Sequence, residues 1–300
     1  MNGSAVAGLI VMIVSEAATL QGLEPFRSWN TPIAWTGFIL FADSVVWQAR
    51  GSSWIRSSPR EFTFLAIVSI PLWLLFEFFN LYLDNWYYSG LPEHAALRLF
   101  GYAWSFATIW PAIFEGADVI DVFRAGRAGG AGRPGRAGDA QPALPAPPGL
   151  PALASLSIAI GAAMLASPFV VSPSVARYLA APVWLGFILL LDPINHRLGG
   201  ESLAGDLGRG QFDRLKNLIV SGFLCGILWE FWNYWAGAKW HYTVPIMENL
   251  KIFEMPVPGY LGFPAFAIEC FTMYVFTRML VARIVPWPCR AIGVPIARSR

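Results

Sequence analysis

The sequence predicts an all-α integral membrane protein of eight transmembrane helices, arranged as two parallel four-helix repeats. Three observations carry that expectation. Hydrophobic residues make up 56% of the 300 positions and charged residues 13%, against about 25% charged in an ordinary soluble domain. Eight apolar stretches are long enough, or nearly so, to cross a bilayer. Residue blocks in the first half of the chain also return in the same order in the second.

The composition excludes a water-soluble enzyme, because mean hydropathy of +0.50 and 14 Trp leave too little polar surface to cover a globule. It also excludes disorder over most of the length. The net charge of +2 forms no basic face, so nucleic acid is not an expected partner. Cys225, Cys270 and Cys289 form no CxxC pair, and an odd count argues against a disulfide framework.

A span needs about 20 mostly apolar residues. Candidates run over 5–23, 33–49, 62–82, 97–121, 151–171, 179–193, 215–236 and 258–285. The first lacks a positive leader and is expected to stay as a signal-anchor helix. The second and sixth are short, which leaves a re-entrant geometry open. Residues 1–123 form the first repeat and 152–286 the second. Between them, 124–151 is built of Gly, Ala, Pro and Arg and reads as a flexible linker; 287–300 is a tail.

Arginines set the orientation. Arg50, Arg56 and Arg60 follow the second span, Arg124, Arg127, Arg133 and Arg136 the fourth, and Arg197, Arg209, Arg214 and Lys216 the sixth. Arg283, Arg290, Arg298 and Arg300 close the chain. The odd-numbered loops carry fewer basic residues, so both termini are expected in the cytoplasm, with the protein in a bacterial inner membrane.

WTGFILFAD (35–43) matches WLGFILLLD (184–192) at six of nine positions, and FEFFN (76–80) matches WEFWN (229–233). Trp86 then pairs with Trp240, Tyr88 with Tyr242, Gly101-Tyr102 with Gly259-Tyr260, and Glu115 with Glu269. An even number of spans per unit makes the copies parallel, with any shared site where they meet.

The repeated polar residues are the candidate site. Glu77 and Asn80, like Glu230 and Asn233, lie three apart and share a helix face. Intramembrane carboxylates are expensive, which favours function; interhelical hydrogen bonding explains the same pairs structurally. If Glu77 and Glu230 meet, they form a coupled pair sharing a proton. Glu115 and Glu269 are the second pair, each after Pro-Ala, with Asp118 and Asp121 on the Glu115 stripe readable as a solvated helix end. Asp43 and Asp192 oppose a helix dipole and read as caps, with Arg50 or Arg197 as counter-ions and a helix stop at Asp192-Pro193. Trp86, Tyr88, Trp240 and Tyr242 read either as an interfacial aromatic belt or as a lid of rings for a polyene or a cation. The histidines His94, His196 and His241 occupy separate loops, so neither a metal nor a cofactor is called for.

Two copies of a few-helix unit, with membrane carboxylates among many aromatics, resemble the integral-membrane lycopene cyclase domains of carotenoid synthesis. The likeness rests on the duplication, the basic-loop order and the run Trp86-Tyr87-Tyr88-Ser89-Gly90-Leu91-Pro92-Glu93. Those cyclases carry Pro-x-Glu-Glu. Here Pro92-Glu93-His94 and Pro245-Ile246-Met247-Glu248 stand in its place, so no catalytic residue is carried across.

The chemistry fits independently. Cyclising or hydrating an isoprenoid needs a carboxyl acid to protonate a C=C bond and aromatic faces to stabilise the cation. The expected function is therefore binding or conversion of a lipophilic isoprenoid- or carotenoid-like molecule at the repeat interface. Glu77, Glu230, Glu115 and Glu269 are the acid/base candidates; Asn80, Asn233, Trp86, Trp240, Tyr88 and Tyr242 are the binding candidates. Membrane lipid is the other expected partner, and a homo-oligomer is left open. A proton-coupled secondary transporter and a non-catalytic membrane assembly protein are the alternatives.

Overall fold

The computed structural model describes residues 3–127 and 150–284. Most of the expected linker, the 287–300 tail, Cys289, Arg133, Arg136, Arg290, Arg298 and Arg300 lie outside the described residues.

In chain order the helices are α1 (Gly3–Leu20), α2 (Phe26–Arg50), α3 (Trp54–Ser57), α4 (Pro59–Leu83), α5 (Ala95–Arg127), α6 (Leu150–Val170), α7 (Pro173–Ala176), α8 (Ala180–Arg197), α9 (Leu203–Gly208), α10 (Asp213–Trp235) and α11 (Gly262–Ile284). Eight of them are long and overlie the eight expected segments. Five stretches, α1, α4, 152–170 of α6, α10 and 257–284, are long and apolar enough to cross a membrane by length and composition. Their outer faces leave Ile13, Ile67, Leu81 and Val170 exposed. That belt suits lipid, where backbone groups are satisfied within helices and side chains face hydrocarbon. The chain is a helical integral membrane protein.

Packing follows one plan in each half. α1 lies on α2 and α6 on α8; α2 packs on α5 and α8 on α11; α4 packs on α5 and α10 on α11. Small residues permit the closest approaches. A Cβ on Gly8 would meet the Gly37 carbonyl at 2.6 Å, and one on Gly161 would meet the Gly186 carbonyl at 2.7 Å. The halves join through α10 against α5, with α1 touching α10 and α6 touching α4.

Several boundaries differ from expectation for identifiable reasons. α2 is a 25-residue helix broken at Trp29 (φ −128°, ψ 29°), longer than the short segment read from the chain. Pro32 within it has no N–H for the Ser28 carbonyl. α8 does not stop at Asp192-Pro193 but runs on to Arg197. The Leu189 carbonyl, which Pro193 leaves without its helical donor, accepts the Ser157 hydroxyl of α6 at 2.8 Å. α5 continues past residue 123 to Arg127, because Arg124 is anchored on Asn217 at 2.6 Å and Asp213 at 2.7 Å.

The two aspartates do cap, but with other partners. Asp43 accepts the Ile55 N–H of α3 at 2.8 Å, and its nearby cation is Arg56, at 3.7 Å, rather than Arg50. Asp192 accepts Leu203 and Ala204 N–H at the start of α9, at 2.7 and 2.8 Å. Arg197 reaches Ser155 at 2.7 Å.

A small amount of sheet was not expected. Strand β1 (Trp86–Ser89) pairs antiparallel with β2 (Lys239–Tyr242), joining two loops distant in sequence: Trp86 opposes Tyr242, Tyr87 opposes His241 and Tyr88 opposes Trp240. A second pair, β3 (Lys251–Ile252) with β4 (Met255–Pro256), leads through a 3₁₀ turn (Val257–Leu261) into α11. Gly90, at φ +65°, lies so near the other half that a Cβ would sit 2.0 Å from the Gly237 carbonyl.

Candidate functional site

The β1–β2 ladder is fastened to the helices below it by the two predicted asparagines. Asn80 accepts Asn85 N–H at 2.9 Å and donates to the Trp86 carbonyl at 2.8 Å. Asn233 accepts Trp240 N–H at 3.0 Å and donates to the Trp240 carbonyl at 2.9 Å. Each amide thus satisfies strand backbone that would otherwise lack a partner. The asparagines are clamps; Asn80 borders an outer pocket with Asp84 and Arg177, and neither asparagine lines the aromatic cavity beneath the ladder.

Beneath the ladder lies a cavity of about 130 Å³. Its walls come from both halves: Trp29 and Trp35 of α2, Trp73 of α4, Tyr102 of α5, Trp229 of α10 and Phe266 of α11, with Trp86, Tyr88, Trp240 and Tyr242 from the strands. Four indoles run as a chain from one strand to the other. Trp86 meets Trp73 at 6.2 Å between ring centroids, Trp73 meets Trp229 at 5.6 Å, and Trp229 meets Trp240 at 5.2 Å. Tilted and edge contacts of this kind are the favoured aromatic geometries, each worth roughly 0.5–1.5 kcal/mol beyond burial. The wall is therefore stiff and flat-faced.

Glu77 and Glu230 stand behind this lining. Glu77, half-buried, accepts the Trp73 indole N–H at 2.8 Å, the Trp86 indole N–H at 3.3 Å and the Tyr88 hydroxyl at 2.5 Å. Glu230, fully buried, accepts the Tyr242 hydroxyl at 3.0 Å, and its Oε2 has no hydrogen-bond partner. The Trp240 indole N–H faces Glu230 without reaching hydrogen-bond geometry. The two carboxyl groups make no hydrogen bond to each other; each turns to the tyrosine of its own half. Burial, then the charge of Glu77, pushes the Tyr88 phenol well above its ordinary range. Burial and Glu230 do the same to Tyr242. Both phenols are donors into the carboxyl groups and offer their remaining lone pairs to the cavity.

Glu115 and Glu269 are elsewhere. Both are fully buried, neither lines the cavity, and none of their carboxyl oxygens has a hydrogen-bond partner. Near Glu115, Asp118 and Asp121 do not form a solvated helix end. Arg50 pairs with Asp118 at 3.1 Å and with Asp121 at 2.7 Å, Trp54 donates to Asp118 at 3.1 Å, and Asn217 donates to Asp121 at 3.0 Å. This network ties α2, α5 and α10 together at the end remote from the ladder.

At the ladder's edge Lys239 pairs with Glu254 at 2.9 Å, and His241 faces the same carboxylate at 3.3 Å. Burial raises the Glu254 pKa, but Lys239 and then His241 outweigh it and hold the group below its ordinary value. Among the described residues no group of three or more His, Cys, Asp or Glu side chains is arranged for a metal. The sequence reading missed Trp29, Trp35, Trp73, Arg98, Tyr102, Trp229 and Phe266 as lining residues. The signal available for one of them was Pro32, three residues after Trp29, which marks a helix break.

Compared with protein-family models, curated proteins and solved structures, the chain matches none of them.

Proposed function

We propose that this protein binds a lipophilic, isoprenoid- or carotenoid-like molecule in the aromatic cavity between two parallel four-helix repeats, in a bacterial cytoplasmic membrane with both termini inside. The observation that carries the reading is the unbroken indole chain Trp86–Trp73–Trp229–Trp240, drawn equally from both halves. Flat π-faces suit a polyene by stacking and a carbocation by the ring quadrupole.

The duplication is supported by matched local chemistry. Glu77–Tyr88 has its counterpart in Glu230–Tyr242, and Asn80–Trp86 in Asn233–Trp240. The ladder pairs Trp86 with Tyr242 and Tyr88 with Trp240 about Tyr87–His241, the register that a pseudo-twofold axis requires. With α2, α5 and α8 as spans, eight helices cross the membrane. The likeness to lycopene cyclase domains points to the same ligand class.

If a conversion occurs, Glu77 or Glu230 supplies the proton. In the arrangement described the phenols donate to the carboxyl groups, so delivery needs that hydrogen bond reversed: the protonated Glu77 or Glu230 gives its proton to the Tyr88 or Tyr242 oxygen as that tyrosine's own O–H proton passes to the substrate, whereas Glu115 and Glu269 do not line the cavity. A second reading, a proton-coupled carrier, is favoured by carboxylates at both ends of the bundle, Glu77 and Glu230 near the ladder and Glu115 with Asp118 remote from it.

Quenching of tryptophan emission by a polyene such as retinol separates the cases. The wild type in detergent is expected to quench saturably, and Ser105→Trp, which fills the cavity, to lose saturation. Equal, non-saturating quenching in both contradicts the binding reading. Proton-driven uptake into liposomes, abolished by Glu230→Gln, selects the carrier.

A further inference from the structure

The cavity is apolar, and the charged side chains that line it are all cations. No carboxylate and no Asn or Gln side chain lines it. Its two cations are Lys239, engaged by Glu254 at 2.9 Å, and Arg98 in the first turn of α5. The Arg98 side chain is half-buried, lies near Tyr102, and makes no hydrogen bond or ion pair with any described residue. Beside it, at the break in α2, the Trp29 indole N–H and the Thr31 hydroxyl are buried and also without partners. Gly101, one turn along α5 from Arg98, leaves room there, since a Cβ would come within 3.3 Å of Trp29 Nε1.

Buried donors left unpaired are costly, and a helix broken beside a cavity is where membrane proteins place polar ligand groups. An indole N–H donates only, and a guanidinium is a fixed fork of donors that matches phosphate or carboxylate. We infer that the ligand is an amphiphile: an anionic, acceptor-rich head such as a phosphate sits between Arg98 and Trp29, and its hydrocarbon part lies along the indoles. The inference rests on the lipophilic-cavity reading and specifies the class of molecule. The head stays at the ladder end, near the interface, where its charge costs least to desolvate.

The test is native mass spectrometry of delipidated protein in detergent, titrated in parallel with farnesyl phosphate, farnesol and inorganic phosphate. The wild type is expected to bind farnesyl phosphate about ten- to a hundredfold more tightly than farnesol, the scale of one charge-assisted contact, and not to retain inorganic phosphate. Arg98→Gln is expected to bring the two farnesyl compounds within about twofold of each other, and Arg98→Lys to keep part of the difference. Trp29→Phe removes the N–H together with the five-membered ring and is expected to weaken farnesyl phosphate more than farnesol, which guards against a misfolded Arg98 variant. Equal binding of farnesol and farnesyl phosphate by the wild type overturns this inference but leaves the lipophilic cavity standing. Failure to bind either compound overturns the cavity reading itself. Inorganic phosphate bound as tightly as farnesyl phosphate overturns the amphiphile requirement.

Discussion

The Tyr242 hydroxyl donates to Glu230 at 3.0 Å, and the Glu254 backbone N–H and the Trp240 indole also face this fully buried carboxyl group. In the other half, Glu77 takes Tyr88 and two indoles and is only half-buried. Matched residues therefore stand in unequal environments.

That inequality sets the order of two substitutions. Tyr242→Phe takes from the fully buried Glu230 the hydroxyl that donates to it and is expected to cost about 2–3 kcal/mol. Tyr88→Phe leaves Glu77 two indole donors and some exposure, for about 1 kcal/mol. Thermal unfolding in one detergent gives the ranking. Equal shifts in midpoint would show that the two tyrosines do not differ in this way.

The asparagine clamps predict a similar ranking. Asn233→Ala strands the N–H and carbonyl of Trp240 in a buried position and is expected to cost about 2–3 kcal/mol, with a red shift of tryptophan emission as the ladder loosens. Asn80→Ala, at a half-buried site, is expected to cost about half as much. Hydrogen exchange at Trp86 and Trp240 locates the loss; unchanged protection there would remove the clamp from the account.

Arg50 is the cation for two buried aspartates. Arg50→Gln takes the cation from both, leaving neutral donors such as Trp54 on Asp118 and Asn217 on Asp121, and is expected to destabilise by about 3–5 kcal/mol. Adding Asp121→Asn should recover part of that, because one uncompensated charge is removed. A double variant no more stable than Arg50→Gln alone would mean the network is not acting through charge.

Tyr88 and Tyr242 are raised well above 10.0 by burial, then by Glu77 and Glu230. A folded-state pKa above the unfolded one means their contribution to stability is complete below about pH 10 and is lost as pH rises through the folded value. Phenolate absorbance on alkaline titration is expected to show a late fraction of the nine tyrosines, reduced by the two groups in Tyr88→Phe/Tyr242→Phe. All tyrosines ionising together near pH 10 in the native protein would contradict the buried hydrogen bonds.

The helices were legible because hydropathy is a local signal: all eight long helices lie on apolar runs read from the chain. So were the Glu–Asn pairs, since spacing of three fixes a shared face. The ladder was not, because Trp86 and Tyr242 satisfy each other across two distant loops that read as ordinary interfacial aromatics. Nor did spacing reveal that Glu77 and Glu230 sit behind Tyr88 and Tyr242, since a helix face does not say what stands in front of it. Asp118 and Asp121 looked solvated for want of a visible partner; Arg50, on another helix, is that partner. The break at Trp29 was foreshadowed by Pro32, yet the segment was read as short rather than kinked.

The central claim is that the indole-lined cavity holds one lipophilic molecule. The most direct measurement is mass spectrometry, with absorbance, of lipids extracted from protein purified in mild detergent, comparing the wild type with Ser105→Trp and with Glu77→Gln/Glu230→Gln. The account predicts a near-stoichiometric isoprenoid or polyene in the wild type, absent from Ser105→Trp and lost or chemically altered in the double variant. Bulk phospholipid alone, in the same amounts in all three, would contradict it.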